Sequence, residues 1–306
     1  MVSFLKTCIT IFESIIEVGE NTMKPIILVA ETGSDINPQL AEEYQIRIVP
    51  MHVTFEDKTL DDGAFPVEDI VAYYQQTKKV PKTSGSTPED FNVVLDEIHA
   101  QNPDAKILYL AYSAVTTCSY QSCEIASEDR DYVTAFDTKH VSVGQAAVVI
   151  SVAEALQENP GMSMEEALEL AEDFSTRARM CFLPDNLEFL RAGGRVSNAA
   201  CLGSRILSLH PCIELLDGRL MATKKYRGKM EKVAEELIEE YSAKNDLDRD
   251  CLWMVYTIGL DDAVRRSAEA AAEKCGFKRV RWIQAGGVIT THGGPAAFGI
   301  AGFAKK

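Results

Sequence analysis

Hydroxyls, one guanidinium and one imidazole recur in five small-residue segments of this 306-residue chain, at residues 32–35, 82–87, 113–119, 193–197 and 291–295. Thr83, Ser84, Ser113 and Thr117 offer O–H donors, Arg195 offers a planar cation, and His292 is followed by Gly293, Gly294 and Pro295. Hydroxyls and freely approached backbone N–H groups suit an anionic group such as a carboxylate. A guanidinium pairs with oxyanions in the same setting, and paired glycines let backbone come close to a ligand. Taken singly, each segment is equally a turn or a helix cap, because Ser, Thr and Gly dominate both. Their number and placement favour a site.

Other chemistries find less support in the residues. No GxSxG elbow is present, and no carboxylate is placed to orient His292, which weakens acyl transfer or hydrolysis by Ser/Thr and His292 as the alternative function. Neither phosphate-loop fingerprint follows the first apolar run, so nucleotide binding rests on the parallel sheet and the Thr-Gly-Ser-Asp turn alone. Eight cysteines and five histidines are scattered without metal-ligand spacing. Unpatterned cysteines in a chain this long indicate a reducing, cytoplasmic setting, with Cys118 and Cys123 assigned to packing. A net charge of −15 disfavours nucleic acid and anionic lipid surfaces. No apolar run is long enough for stable membrane insertion.

The elements that would position these segments alternate. Residues 26–30 (IILVA) form a continuous apolar run, the pattern of a strand buried on both faces, with a polar turn after it. Helices are expected over 37–44, 68–77, 89–101, 120–128 and 143–157, and strands over 46–53, 107–112 and 132–137, with 81–88 as a loop. That alternation predicts a doubly wound parallel sheet, whose ligands bind beyond the strands' carboxyl ends. After Pro160-Gly161 the pattern becomes mixed. Short elements are expected over 180–182, 186–192, 212–216 and 218–222, then a long acidic helix over 230–243 and a segment over 251–257. A helix over 262–275, a strand over 278–284 and a loop over 290–299 complete the chain. The expected organisation is an extension over 1–22, an N-terminal Rossmann-like α/β domain over 23–160, and a C-terminal mixed-sheet α/β domain over 161–306. The extension carries an amphipathic pattern but is a poor signal peptide, and Met23 stands directly before the first strand.

One stretch is more specific. Asp185-Asn186-Leu187-Glu188-Phe189-Leu190, then Arg191-Ala192-Gly193-Gly194-Arg195-Val196-Ser197, resembles the "dxLeyLkkGGRis" signature of the DegV family. Lys82-Thr83-Ser84 resembles that family's "kTSqPs", Ser119-Tyr120-Gln121-Ser122 its "SGTyqsA", and His292-Gly293-Gly294-Pro295 its "HxGPG". Leu202-Gly203, His210-Pro211 and Asp217-Gly218 add support. The resemblance implies two α/β domains that seal a long-chain fatty acid between and within them, and a carrier rather than an enzyme. It implies a carboxylate held by the Thr-Ser and Ser-rich loops with the terminal histidine close by, hence Thr83, Ser84, Ser113, Arg195 and His292. It also implies a partner, a separate ATP-dependent, dihydroxyacetone-kinase-like fatty acid kinase, whose acyl-phosphate product feeds phospholipid synthesis. No cofactor or metal is implied beyond the bound fatty acid. The chain departs from the pattern at Ala114, at Val115-Thr116-Thr117-Cys118, at Gly85-Ser86, at Ala296, at His210 and at Glu31-Thr32-Gly33-Ser34-Asp35. Thr117 would then supply a hydroxyl from a serine's place.

Overall fold

The computed structural model describes residues 25–185, 187–196 and 209–306. The expected extension over 1–22, and the Ser197 and Leu202-Gly203 parts of the signature, lie outside these residues.

The apolar run becomes β1 (Ile26–Glu31), which leads through a single 3-10 turn, Thr32–Ser34, to α1 (Pro38–Glu43) and β2 (Arg47–Val49). Next come β3 (His52–Phe55), β4 (Lys58–Asp61), α2 (Glu68–Thr77), β5 (Lys82–Ser84) and α3 (Pro88–Gln101). β6 (Lys106–Ala111), α4 (Ser119–Ala126), β7 (Val133–Asp137) and α5 (Ser142–Glu158) follow. The later part comprises α6 (Met164–Arg177), β8 (Ala178–Leu183), α7 (Leu187–Gly193), β9 (Leu209–Leu216), β10 (Arg219–Arg227) and α8 (Met230–Lys244). It ends with β11 (Leu252–Tyr256), α9 (Asp262–Lys274), β12 (Val280–Gln284), α10 (Gly287–Gly293) and β13 (Phe298–Phe303).

Three sheets result. A parallel sheet runs β2-β1-β6-β7, a mixed sheet runs β10-β9-β8-β13-β11-β12, and a small antiparallel sheet runs β4-β3-β5. The expected α/β class, with one parallel and one mixed sheet, is the architecture observed. In the parallel sheet the chain steps from β1 to β2 on one side and to β6 on the other. The strand order therefore reverses at β1 and β6, where a crevice opens beyond the carboxyl ends. Phe91, Leu95 and Ile98 of α3, with Cys123 and Ala126 of α4, cover one face of this sheet. α5 covers the other.

α5 reads SVGQAAVVISVAEALQE and is buried along most of its length, including all of Ser142–Ile150. A helix apolar on every side must be enclosed on every side. It packs on β1 and β6 of the parallel sheet and on β8, β11 and β13 of the mixed sheet. The two sheets therefore share it as core.

Three expectations are corrected. The single strand over 46–53 is split at Pro50-Met51 into β2 and β3, which belong to different sheets; proline has no N–H to continue a ladder. β3 then pairs with β4 and with β5, so the supposed loop over 81–88 contains a strand. The supposed loop over 290–299 begins within α10, which ends at Gly293, and runs into β13, which lies in the interior of the mixed sheet between β8 and β11. Gly299 and Gly302 weakened the strand signal in FGIAGF. Gly299 is needed there, because a Cβ would stand 2.9 Å from Phe182 Cβ and from Val255 Cγ1.

Candidate functional site

β5 is short and lies beside β3, with Thr83 opposite Val53. A capping box at Thr87 and Asp90 starts α3 directly afterwards. Such a box stabilises a helix start by about 1 kcal/mol, and here it fixes where the Thr-Ser segment turns away. Thr83 Oγ1 lies 2.8 Å from His292 Nε2, a contact across 209 residues of sequence. His292 occupies the last turn of α10.

The imidazole is tightly enclosed. Gly193, at the end of α7, comes so close that a Cβ would stand 2.2 Å from His292 Nδ1. Nδ1 itself has no hydrogen-bond partner among the described residues. Burial, and secondarily the Arg195 charge, hold the His292 pKa down to about 4. The ring is therefore neutral near pH 7. With Nε2 protonated, it donates to Thr83 Oγ1 and leaves the Thr83 proton free to point elsewhere.

Thr117 and Ser119 bring a second pair of hydroxyls, 3.2 Å apart. Ser119 Oγ also accepts from the Ser86 N–H at 3.1 Å. Gly85 leaves room for them, since a Cβ there would lie 2.3 Å from Thr117 Oγ1 and 2.8 Å from Ser119 Oγ. Two of the sequence departures, Gly85 and Thr117, thus occupy the same space and fit one another.

Thr83, His292, Gly85 and Thr117 border a cavity with about 830 Å³ of atom-free space, open solvent at its mouth included. Thr83, Ser84, Thr117, Arg195, His292 and Gly293 all line it. Met180, Phe182, Val255, Val288 and Phe298 supply apolar wall, drawn from β8, β11, α10 and β13. Met51, Tyr112 and Ser142 close it from the crevice side of the parallel sheet. The chemistry available is an oily interior with hydroxyls, one neutral imidazole and one rim guanidinium gathered together. Arg195 is exposed, donates to the Gly193 carbonyl at 3.0 Å, and also borders a neighbouring depression with Arg219.

Two expected site residues stand apart. Ser113 is fully buried and donates to the Gly218 carbonyl at 2.8 Å, pinning the β9–β10 turn; it is not part of the cavity lining. Gly294 is likewise outside the lining, and adopts φ +75° as α10 ends against Phe189. Sequence reasoning missed Tyr112, Ser142 and the β8, β11 and β13 wall. Tyr112 directly follows a buried strand, which was the available signal. The wall residues look like ordinary core in sequence.

Beneath the crevice lie two buried carboxyls, Glu31 and Asp35, at the ends of the segment that departs from the family pattern. Glu31 accepts from Tyr109 O–H at 2.6 Å, Tyr112 N–H at 3.0 Å and Gln145 Nε2 at 2.9 Å, and burial pushes it up to about 7. Asp35 accepts from Ser142 O–H at 2.5 Å, and burial pushes it up to about 8. Among the described residues, no group of three or more His, Cys, Asp or Glu side chains is arranged to hold a metal ion. No helix among them is long and apolar enough to cross a membrane.

Fold and site together define a three-sheet α/β protein with an apolar cavity that carries a polar cluster on its wall. The chain belongs to the DegV family: the profile described as "Uncharacterised protein, DegV family" matches residues 25–305. A protein named fatty acid-binding protein from Thermotoga maritima is 28% identical over 292 residues, covering 90% of this chain and 96% of that one. A DegV domain-containing protein from Deinococcus radiodurans is 26% identical over 90% of this chain and 97% of the relative. Among solved structures, a fatty-acid-binding DegV family protein from Thermus thermophilus superposes with a TM-score of 0.82 at 27% identity, covering 92% and 100% of the two chains. A DegV lipid-binding protein from Thermotoga maritima gives 0.78 at 25% identity, over 93% and 100%.

Proposed function

We propose that this protein binds a long-chain fatty acid in the cavity between its sheets and acts as a carrier, not a catalyst. The observation that supports this most is the Thr83–His292 pair on the wall of an otherwise apolar cavity. In this reading His292 Nε2 donates to Thr83, and Thr83 donates to the carboxylate. Ser84 and Thr117 add hydroxyls, Gly293 gives backbone room, and Arg195 sits at the rim. Ser113 and Gly294 are left out of the head-group set. An unpartnered buried carboxylate would be costly; neutral donors and one cation offset that cost.

The alkyl chain supplies the affinity. About 15 methylenes at about 0.8 kcal/mol each amount to roughly 12 kcal/mol gross, much of it offset by immobilisation. Relatives described as fatty-acid- and lipid-binding favour the same ligand class. We further propose that the division falls near residue 160, that the protein works in the cytoplasm, and that the ligand is offered to a separate fatty acid kinase for acyl-phosphate formation. Ser84 and Arg195 are exposed, which suits access by a second protein.

Native mass spectrometry of the purified protein should show a fatty acid retained, and organic extraction should release it. Thr83→Val keeps the branched shape and removes the hydroxyl. A hydrogen bond to a charged group contributes about 1.5–3 kcal/mol. Hexadecanoic acid should therefore bind about 10–150-fold more weakly, while its methyl ester changes less than about threefold. Equal losses for both ligands would reject the assigned head-group role.

A further inference from the structure

The first turn of α10 lacks a cap from its own segment, since Gly286 at the cap position has no side chain. A helix start leaves N–H groups without intrahelical partners. Here three of them are taken by carboxyl oxygens from elsewhere in the chain. Asp35 Oδ1 accepts from Gly286 at 2.8 Å. Asp62 Oδ1 accepts from Gly287 at 2.8 Å, and Asp62 Oδ2 from Val288 at 3.2 Å. Asp62 is 6% exposed and is itself held by its N–H to the Met51 carbonyl at 2.8 Å. The fit is close: a Cβ on Gly287 would stand 2.7 Å from Asp62 Oδ1 and 2.9 Å from Phe65.

The small β4-β3-β5 sheet therefore grips α10 at both ends. Asp62 follows β4 and holds the first turn; Thr83 lies on β5 and meets His292 in the last. α10 spans only seven residues. A slip by one residue would move His292 about 1.5 Å along the axis and about 100° around it. Either displacement breaks a 2.8 Å hydrogen bond to Thr83. A cap that takes two successive N–H groups on the two oxygens of one buried carboxyl group fixes both translation and rotation.

We propose that Asp62, with Asp35 beside it, is a positioning residue for the head-group site, setting the register of α10 so that His292 is presented to Thr83. This rests on the reading that the Thr83–His292 pair serves a fatty acid carboxylate. Asp62 does not touch the ligand in this arrangement; it is not on the cavity wall.

The test is the ratio of two dissociation constants, for hexadecanoic acid and for methyl hexadecanoate, measured on the full chain. A role confined to stability would weaken both ligands alike. Wild-type protein should prefer the acid. Asp62→Ala should lower that preference about tenfold or more, with ester binding held within about threefold, because the loss of both acceptors frees the helix end. Asp62→Asn keeps one acceptor and should fall between Asp62→Ala and wild type, a partial rescue. A preference unchanged within about threefold in Asp62→Ala overturns the proposal, as does an equal loss of acid and ester binding. Should Asp62→Ala not fold, the same ratio in Asp62→Asn decides: a drop of about threefold or more supports the proposal and no change overturns it. Wild-type protein that binds both ligands equally would overturn the head-group reading itself, and this proposal with it.

Discussion

Raising the pH from 6.5 to 8 should destabilise the ligand-free protein, and buried groups set the size of the effect. Glu31 is raised from 4.5 to about 7 and Asp35 from 3.8 to about 8 by burial. A carboxyl whose folded pKa is raised holds its proton more tightly when folded. Its contribution is full below the unfolded pKa and is lost as pH rises through the folded pKa. His140 and His292 act in the opposite sense, both lowered by burial from 6.5 to about 4. Their contribution is lost as pH falls below 6.5 and is complete above it. Between about pH 4.5 and 6.5 the two carboxyls and two imidazoles oppose one another, so these groups leave the profile nearly flat. Above 6.5 only the carboxyls act. Each unit of pH costs about 1.4 kcal/mol per group still protonated in the fold. Glu31 contributes over about half a unit and Asp35 over about one and a half, which amounts to about 2–3 kcal/mol. For a chain of this size that is roughly 3–5 °C in Tm. Differential scanning calorimetry of delipidated protein at constant ionic strength measures it directly. Asp35→Asn should remove most of the decline, since an amide does not titrate and Asn tolerates the φ of +61° found at this position. A Tm at pH 8 equal to or above that at pH 6.5 would refute the reasoning.

Two further substitutions separate site from scaffold. Gly193→Ala drives a methyl into His292 Nδ1, an overlap that should cost about 1–3 kcal/mol of stability and weaken hexadecanoic acid about tenfold while its methyl ester changes less than about threefold; unchanged acid binding in a titration would show that the imidazole position does not matter. Ser113→Ala strips the bond to Gly218 and should cost about 1–3 kcal/mol in chemical denaturation with ligand affinity retained; a selective loss of affinity would return Ser113 to the head-group set.

Legibility in the sequence followed burial pattern and local chemistry. β1 and β6 were visible because a strand covered on both faces must be apolar throughout, and IILVA and ILYLA are. The helix expected over 89–101 is observed as Pro88–Gln101, behind the capping box at Thr87. β13 was hidden, because its two glycines serve close packing and erase the strand signature. β5 was hidden because three polar residues pair with β3 through backbone alone. The site was partly legible. Thr83, Ser84, Thr117, Arg195, His292 and Gly293 meet at one cavity although they span more than 200 residues of sequence. Ser113 shares their chemistry yet turns toward the β9–β10 hairpin, a choice set by Gly218 and invisible locally. Asp35 stood in the 32–35 segment without an assigned role and Asp62 carried no signal; only the fold shows them meeting one helix start.

The helix Ser142–Glu158 belongs to neither sheet alone. Splitting the chain after it would strand an oily rod with one side bare, and the half lacking it would keep an uncovered sheet face. Each half is thus the other's solvent shield, and thermal melting should proceed as one event. Any ligand lodged between them sits in what is, mechanically, a seam that has been sewn shut.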